Sequence, residues 1–195
     1  MNKLSLEING TWFEQHVANC IVQQFPNTSV LHNLPLYSNF LTNWKGKPNT
    51  TQIDLVVIAE FGCYIIEAKK WGLEIVGNRD DYKWSGKSNA KSFIDNINPV
   101  SQNLMHMRAL RNLLRRNGYK PPQFESLVCV PNGTETKTDC EEVLELSQLI
   151  FKLKYDRLQF LNHKSGISPI DVQFWERAVS QVVRKNIAGA VKKLP

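Results

Sequence analysis

No uninterrupted apolar run approaches the roughly 20 residues that a membrane-spanning helix requires. Met1 to Leu6 also lacks the charged-then-apolar order of a secretion signal. Both absences point to a cytoplasmic protein with no membrane partner. The four cysteines, Cys20, Cys63, Cys129 and Cys140, include no Cys-x-x-Cys pair and no histidine at zinc-finger spacing. That pattern excludes a zinc module and implies reduced thiols. Internal repeats and low-complexity tracts are missing as well. Acidic residues are absent from two long stretches. One runs from Asn96 to Phe124 and carries Arg108, Arg111, Arg115, Arg116 and Lys120; the other follows Arg177 and carries Arg184, Lys185, Lys192 and Lys193.

What is present suits one folded domain. A chain of 195 residues with 42% hydrophobic and 22% charged residues can bury one sizeable core. The net charge of +6 suits a polyanionic partner. Acidic residues instead gather at Glu135, Asp139, Glu141, Glu142 and Glu145. The bland reading of this segregation is a solvated helix face and a solubilising tail.

Phe13, Val17, Cys20, Ile21 and Phe25 recur at helical spacing and predict a first helix over Thr11 to Phe25. Ser29 to Leu36 reads as a strand ended by Pro35, followed by an Asn-rich loop with Trp44 and Lys45. Gln52 to Ile58 and Gly62 to Ala68 are β-branched, apolar runs that predict a hairpin. A smaller hairpin is expected from Leu73 to Val76 and Tyr82 to Trp84. Asn98-Pro99 caps a second helix whose buried stripe is Val100, Leu104, Met107, Leu110 or Arg111, and Leu114. Phe124 to Val130 is a further strand. After Gly133 come a polar acidic passage, a mixed segment around Leu149 to Leu161, and a last helix opened by Ser168-Pro169. This order indicates an α/β layered domain.

The hairpin carries the chemistry. With Ile58 opposite Cys63, Asp54 falls across from Glu67 and Gln52 across from Lys69, all on one side of the sheet. Facing Cβ atoms about 4.5 to 5.5 Å apart would leave two carboxylates repelling each other unless a cation lies between them. A hard divalent ion, Mg²⁺ or Mn²⁺, suits such oxygens. It would activate water for attack on a phosphodiester, with Lys69 placing the nucleophile or stabilising negative charge. An ordinary surface ion pair is the competing reading of Glu67 and Lys69. The sheet-core residues Ile53, Leu55, Val57, Ile65 and Ile66 around them count against it.

The succession Gly10-x-x-x-Glu14, Thr51-Gln52-Ile53-Asp54, Gly62-x-Tyr64-Ile65-Ile66-Glu67-Ala68-Lys69, Gly72-x-x-Ile75-x-Gly77, Trp84 and Asn98-Pro99-x-x-Gln102 resembles the nuclease-related domain. That group is placed among the PD-(D/E)xK nucleases. The resemblance implies a restriction-endonuclease-like core: a central mixed β-sheet flanked by helices over residues 1–131. Residues 132–195 are expected to form a mainly helical extension packed on it. It further implies metal ligation by Asp54, Glu67 and the Ala68 carbonyl, and catalysis by Lys69 with Glu14 and Gln102 contributing. Leu55 stands where the family often has His, and Ile53 where the superfamily has its namesake Pro.

Two readings of Glu14 stand side by side, a site carboxylate or a capping-box residue of Thr11-Trp12-Phe13-Glu14. His106, on the face of Gln102, either approaches the site or is a partly buried helix histidine. Arg108, Arg111 and Arg115, with Gln52, are the candidate DNA contacts. Trp71, Tyr82 and Trp84 either stack on unpaired bases or pack the small hairpin. The expectation is a metal-dependent deoxyribonuclease, a homodimer by analogy. A catalytically idle nucleic-acid-binding or protein-interaction module on the same fold is the alternative.

Overall fold

In a computed structural model the chain forms α1 (Lys3–Gln24), β1 (Ser29–Thr42), β2 (Pro48–Ala59), β3 (Gly62–Ala68), β4 (Glu74–Val76), β5 (Lys83–Lys87) and β6 (Ser92–Ile97). These are followed by α2 (Pro99–Arg116), β7 (Phe124–Val130), β8 (Glu135–Lys137), β9 (Val143–Glu145), α3 (Leu146–Asn162) and α4 (Val172–Val191). The structure describes residues 3–42, 48–87, 92–162 and 169–191. The expectations placed on Trp44, Lys45, Ser168, Lys192 and Lys193 lie outside them.

A mixed five-stranded sheet, in the order β1-β2-β3-β7-β9, is the spine. The first three strands are antiparallel, and β3, β7 and β9 run parallel. The β-branched residues of β2 and β3 stack both faces of this sheet with apolar side chains, so each face needs a cover. Phe13, Val17 and Ile21 of α1 and Leu146, Leu149 and Leu153 of α3 cover one face, over Leu55, Val57 and Ile66. Leu110 and Leu114 of α2 and Ala178, Val179, Val182 and Val183 of α4 cover the other, over Val56, Ile58 and Ile65. The result is the α/β class expected, with a central mixed sheet between helices.

A second sheet, in the order β6-β5-β4-β8, docks beside α2 through Ile75 and Trp84. Trp84 is buried, and its indole N–H donates to the Asn78 carbonyl at 2.9 Å. Gly77 permits this packing, because a Cβ there would lie 2.3 Å from the indole. Trp84 is therefore a packing residue rather than a base-stacking one, while Tyr82 is 78% exposed.

The extension is more than a helical attachment. β9 adds a strand beside β7, with Val128 opposite Val143, and β8 adds one beside β4. At the other edge, the Asn186 side chain of α4 takes both backbone groups of Tyr37. It accepts from the Tyr37 N–H at 2.7 Å and donates to its carbonyl at 3.0 Å. One amide thus substitutes for a neighbouring strand on exposed β1.

Several boundaries differ from the sequence expectation. β1 continues through Pro35, as an edge strand permits, since the missing N–H faces no partner strand. Helix α4 is capped by Asp171, whose carboxylate accepts from the Phe174 N–H at 2.9 Å. The stripe α2 buries contains Asn103 and His106 beside Val100, Leu110 and Leu114, whereas Leu104 and Met107 are only partly covered. All four cysteines are free. Among the described residues no helix is long and apolar enough to cross a membrane.

Candidate active site

The β2–β3 ladder has the register the sequence implies, with Ile58 opposite Cys63 and Leu55 opposite Ile66. The ladder ends at Leu55 opposite Ile66, one residue short of Asp54 and Glu67, whose charges remain coupled. Beyond it, the Asp54 Oδ2 accepts a hydrogen bond from the Ala68 N–H at 2.9 Å. A side chain thus satisfies a β3 donor that the β2 backbone does not reach. β3 meanwhile stays paired to β7 as far as Ala68 opposite Cys129, and the Lys69 N–H donates to the Cys129 carbonyl at 2.8 Å. The end of β3 is therefore fixed from the β7 side while it parts from β2.

Glu67 occupies that fork and is only 1% exposed. A buried carboxylate is tolerated only with strong compensation. Lys69 supplies it at 2.6 Å from Oε1, and the Gln102 amide donates to the same oxygen at 2.8 Å. The His106 Nδ1 lies 3.2 Å from Oε2, yet the two are not aligned for a hydrogen bond, so each remains a buried polar atom without a directed partner. The far nitrogen of His106 is 2.6 Å from the Thr51 hydroxyl on β2. Burial opposes ionisation of Glu67, but adjacent His106 and Lys69 outweigh it and hold the carboxyl below its usual range.

The second carboxylate behaves oppositely. Burial first, then the negative charge of Glu67, push Asp54 up to about 8 against the help of the Ala68 N–H and Lys69. Glu14 is raised in the same manner, by burial and then by Glu67, with Lys69 and His32 opposing. Three acids thus share one electrostatic field with one lysine.

Helix positions explain how these groups meet. α1 begins at Lys3, so Thr11 is interior to it and the capping-box reading of Glu14 does not hold. Glu14 instead points its charge into the field of Asp54 and Glu67. For α2, the Asn98 carbonyl oxygen accepts from the Val100 and Ser101 N–H groups, and its amide donates to the carbonyls of Asn78, Arg79 and Asp81. One turn on, the Asn103 amide donates to the carbonyls of Ile65 and Leu127 and to the Ser126 hydroxyl, at 2.8 to 2.9 Å. These clamps present Gln102 and His106, four residues apart, to the same carboxylate.

Of the other expected residues, only Trp71 reaches the fork. Gln52 is exposed beyond the end of the ladder and donates to Asn33 on β1 at 2.7 Å, rather than facing Lys69. Arg108 and Arg115 are exposed on α2, and Arg111 is half-buried with its Nε unpartnered. Trp71 lies beneath Lys69, whose ammonium is 5.9 Å from the ring centroid. Leu55 is fully buried in the α1 and α3 core and does not line the fork. Thr51 and Asn103 were not legible as site residues. His106 does approach Glu67 and is more fully buried than expected; its four-residue spacing from Gln102 was the usable signal.

Among the described residues no three His, Cys, Asp or Glu side chains converge as a ready-made metal cage. Two carboxylates with a backbone carbonyl and waters are instead the kind of donor set that Mg²⁺ accepts. Asp54, driven to hold a proton, and the buried Glu67 Oε2, without a directed donor, would both be relieved by a divalent cation.

The model of the nuclease-related domain matches residues 9–131. An uncharacterized protein of Bacillus anthracis is 34% identical over 88 residues, which is 45% of this chain and 37% of that protein. The chain therefore spans little more than a third of the length of the curated relative it matches. No solved structure matches it. The family match takes in more than half of the chain, including Glu14, Asp54, Glu67, Lys69, Gln102 and His106, and on that basis the chain belongs to the nuclease-related domain family.

Proposed function

We propose that the chain is an Mg²⁺- or Mn²⁺-dependent nuclease that hydrolyses DNA phosphodiester bonds. The observation that carries this reading is Glu67: a buried carboxylate 2.6 Å from a lysine, in the field of a second carboxylate, Asp54, on the neighbouring strand. Structural ion pairs of this kind add little stability once desolvation is counted, so a costly cluster at a strand fork fits catalysis better than scaffolding.

Asp54, Glu67 and the Ala68 carbonyl would hold the ion. When bound, it supplies positive charge that acidifies a water and offsets charge growing on a phosphoryl oxygen. Lys69, 19% exposed at the mouth of the fork, stabilises the developing negative charge and holds the attacking water. Gln102 keeps the Glu67 carboxylate in one orientation, and Glu14 adds a further acceptor from α1. The exposed Arg108 and Arg115 contact the DNA backbone, with Arg111 between them.

The test is incubation of the pure protein with linear, circular, branched and single-stranded DNA, with and without Mn²⁺. Metal-stimulated cleavage is expected, and Asp54→Ala and Lys69→Ala should each abolish it while leaving the circular dichroism spectrum unchanged. Equal cleavage by both variants, or salt-sensitive binding without turnover under any divalent metal, would overturn the proposal; the latter result describes an idle binding module.

A further inference from the structure

Some cations around the small sheet and α3 are matched by acids, whereas Lys154 and Arg157 of α3 are exposed without a carboxylate partner among the described residues. Arg79 grips both oxygens of Glu142 at 2.6 and 2.7 Å, Lys137 pairs with Glu74 and Glu135, and Lys152 pairs with Glu125 and Asp156. On the layer made by α2 and α4, exposed Arg108, Arg115, Arg184 and Lys185 have no carboxylate partner among the described residues. Four unmatched cations on one layer give that layer a positive surface potential.

Helix α4 has the geometry to use it. Ala178, Val179, Val182 and Val183 face the core, which turns Arg177, Gln181 and Arg184 outward on one line. Arg177 and Arg184 are two turns apart, about 10.5 Å along the axis. With Ser180 and Lys185 they line a shallow groove of about 460 Å³, in which Glu176 is the one acid among the described residues. The helix is also tied to the candidate active site. Asn186, directly after Lys185, holds Tyr37 on β1; Leu36 beside it pairs with Thr51 of β2, and Thr51 holds His106 next to Glu67.

We propose that α4 is a second contact surface for the DNA phosphate backbone, engaged together with the α2 arginines, so that a duplex is held across both helices. This rests on DNA as the ligand of the chain but not on cleavage. It assigns a role to a helix that lies outside the family-matched residues.

The experiment is fluorescence anisotropy of the full chain with a labelled duplex of about 20 base pairs in EDTA, titrated at salt from about 50 to 200 mM. Wild type is compared with an Arg184→Glu/Lys185→Glu variant, both positions being exposed. Affinity should fall at least tenfold at low salt, and the slope of log K against log salt should shrink by about 2, since each phosphate contact contributes roughly 0.9. An unchanged affinity and slope, or no duplex binding by the wild type, would overturn the assignment. Hydrolysis of bis(p-nitrophenyl) phosphate with Mn²⁺, a substrate too small to reach α4, is measured in parallel. Absence of that reaction in a wild type that still binds the duplex counts against the nuclease reading and leaves the α4 surface standing.

Discussion

Asp54 and Glu67 were legible as a facing pair because strand alternation and a short hairpin turn fix register without knowledge of the rest of the fold. Their different chemical states were not legible, since these depend on what covers each carboxylate. Glu67 has Lys69, Gln102 and His106 around it; Asp54 has one backbone N–H. That difference has a consequence for stability. The Asp54 carboxyl is raised from 3.8 to about 8, so between those values the folded chain keeps a proton that the unfolded chain has released. Stability must therefore fall as pH rises through that window. In EDTA the melting temperature of the wild type should decline from about pH 5 to pH 8 more steeply than that of Asp54→Asn. Parallel profiles for the two proteins would show that Asp54 is not held protonated. Excess Mg²⁺ should flatten the wild-type decline.

Among the elements, β3, β7 and the start of α2 were read correctly from continuous β-branched runs and from Asn98-Pro99. The missed strands β8 and β9 are three residues each, too short to show a period, and β8 is Glu135-Thr136-Lys137, exposed throughout; β6 was missed as well. They form because a neighbouring strand offers an edge, which no local signal reports. The stripe of α2 was legible but incomplete for a related reason: Asn103 and His106 are buried by what they bond, not by hydrophobicity. Asn103→Ala removes donors from the Ile65 and Leu127 carbonyls and should destabilise the fold by about 1 to 3 kcal/mol in urea denaturation. Asn98→Ala loses the helix cap and three loop contacts, and a cost of about 1 to 2 kcal/mol is expected. A loss under about 0.5 kcal/mol for either would mean that α2 is held by its apolar contacts alone.

For the molecule as a whole, the sequence suggested a domain at 1–131 with an extension added. The chain after Pro131 packs on that core and supplies β8, β9 and two of the four helices that cover the central sheet. Removing it would expose Leu127 and Cys129 on one face and Val56, Ile58 and Ile65 on the other. A 1–131 fragment is expected to aggregate or to give no cooperative thermal transition. A monomeric fragment with a sharp transition would show that the extension is dispensable.

The central claim, that Asp54 and Glu67 jointly hold a divalent ion, is tested most directly by isothermal titration of Mn²⁺ into the intact chain. One bound ion per chain is predicted in the wild type, lost in Asp54→Ala and retained in the exposed-surface variant Arg184→Glu. Wild-type protein that takes up no Mn²⁺, or an Asp54→Ala variant that binds it with unchanged affinity, would contradict the account.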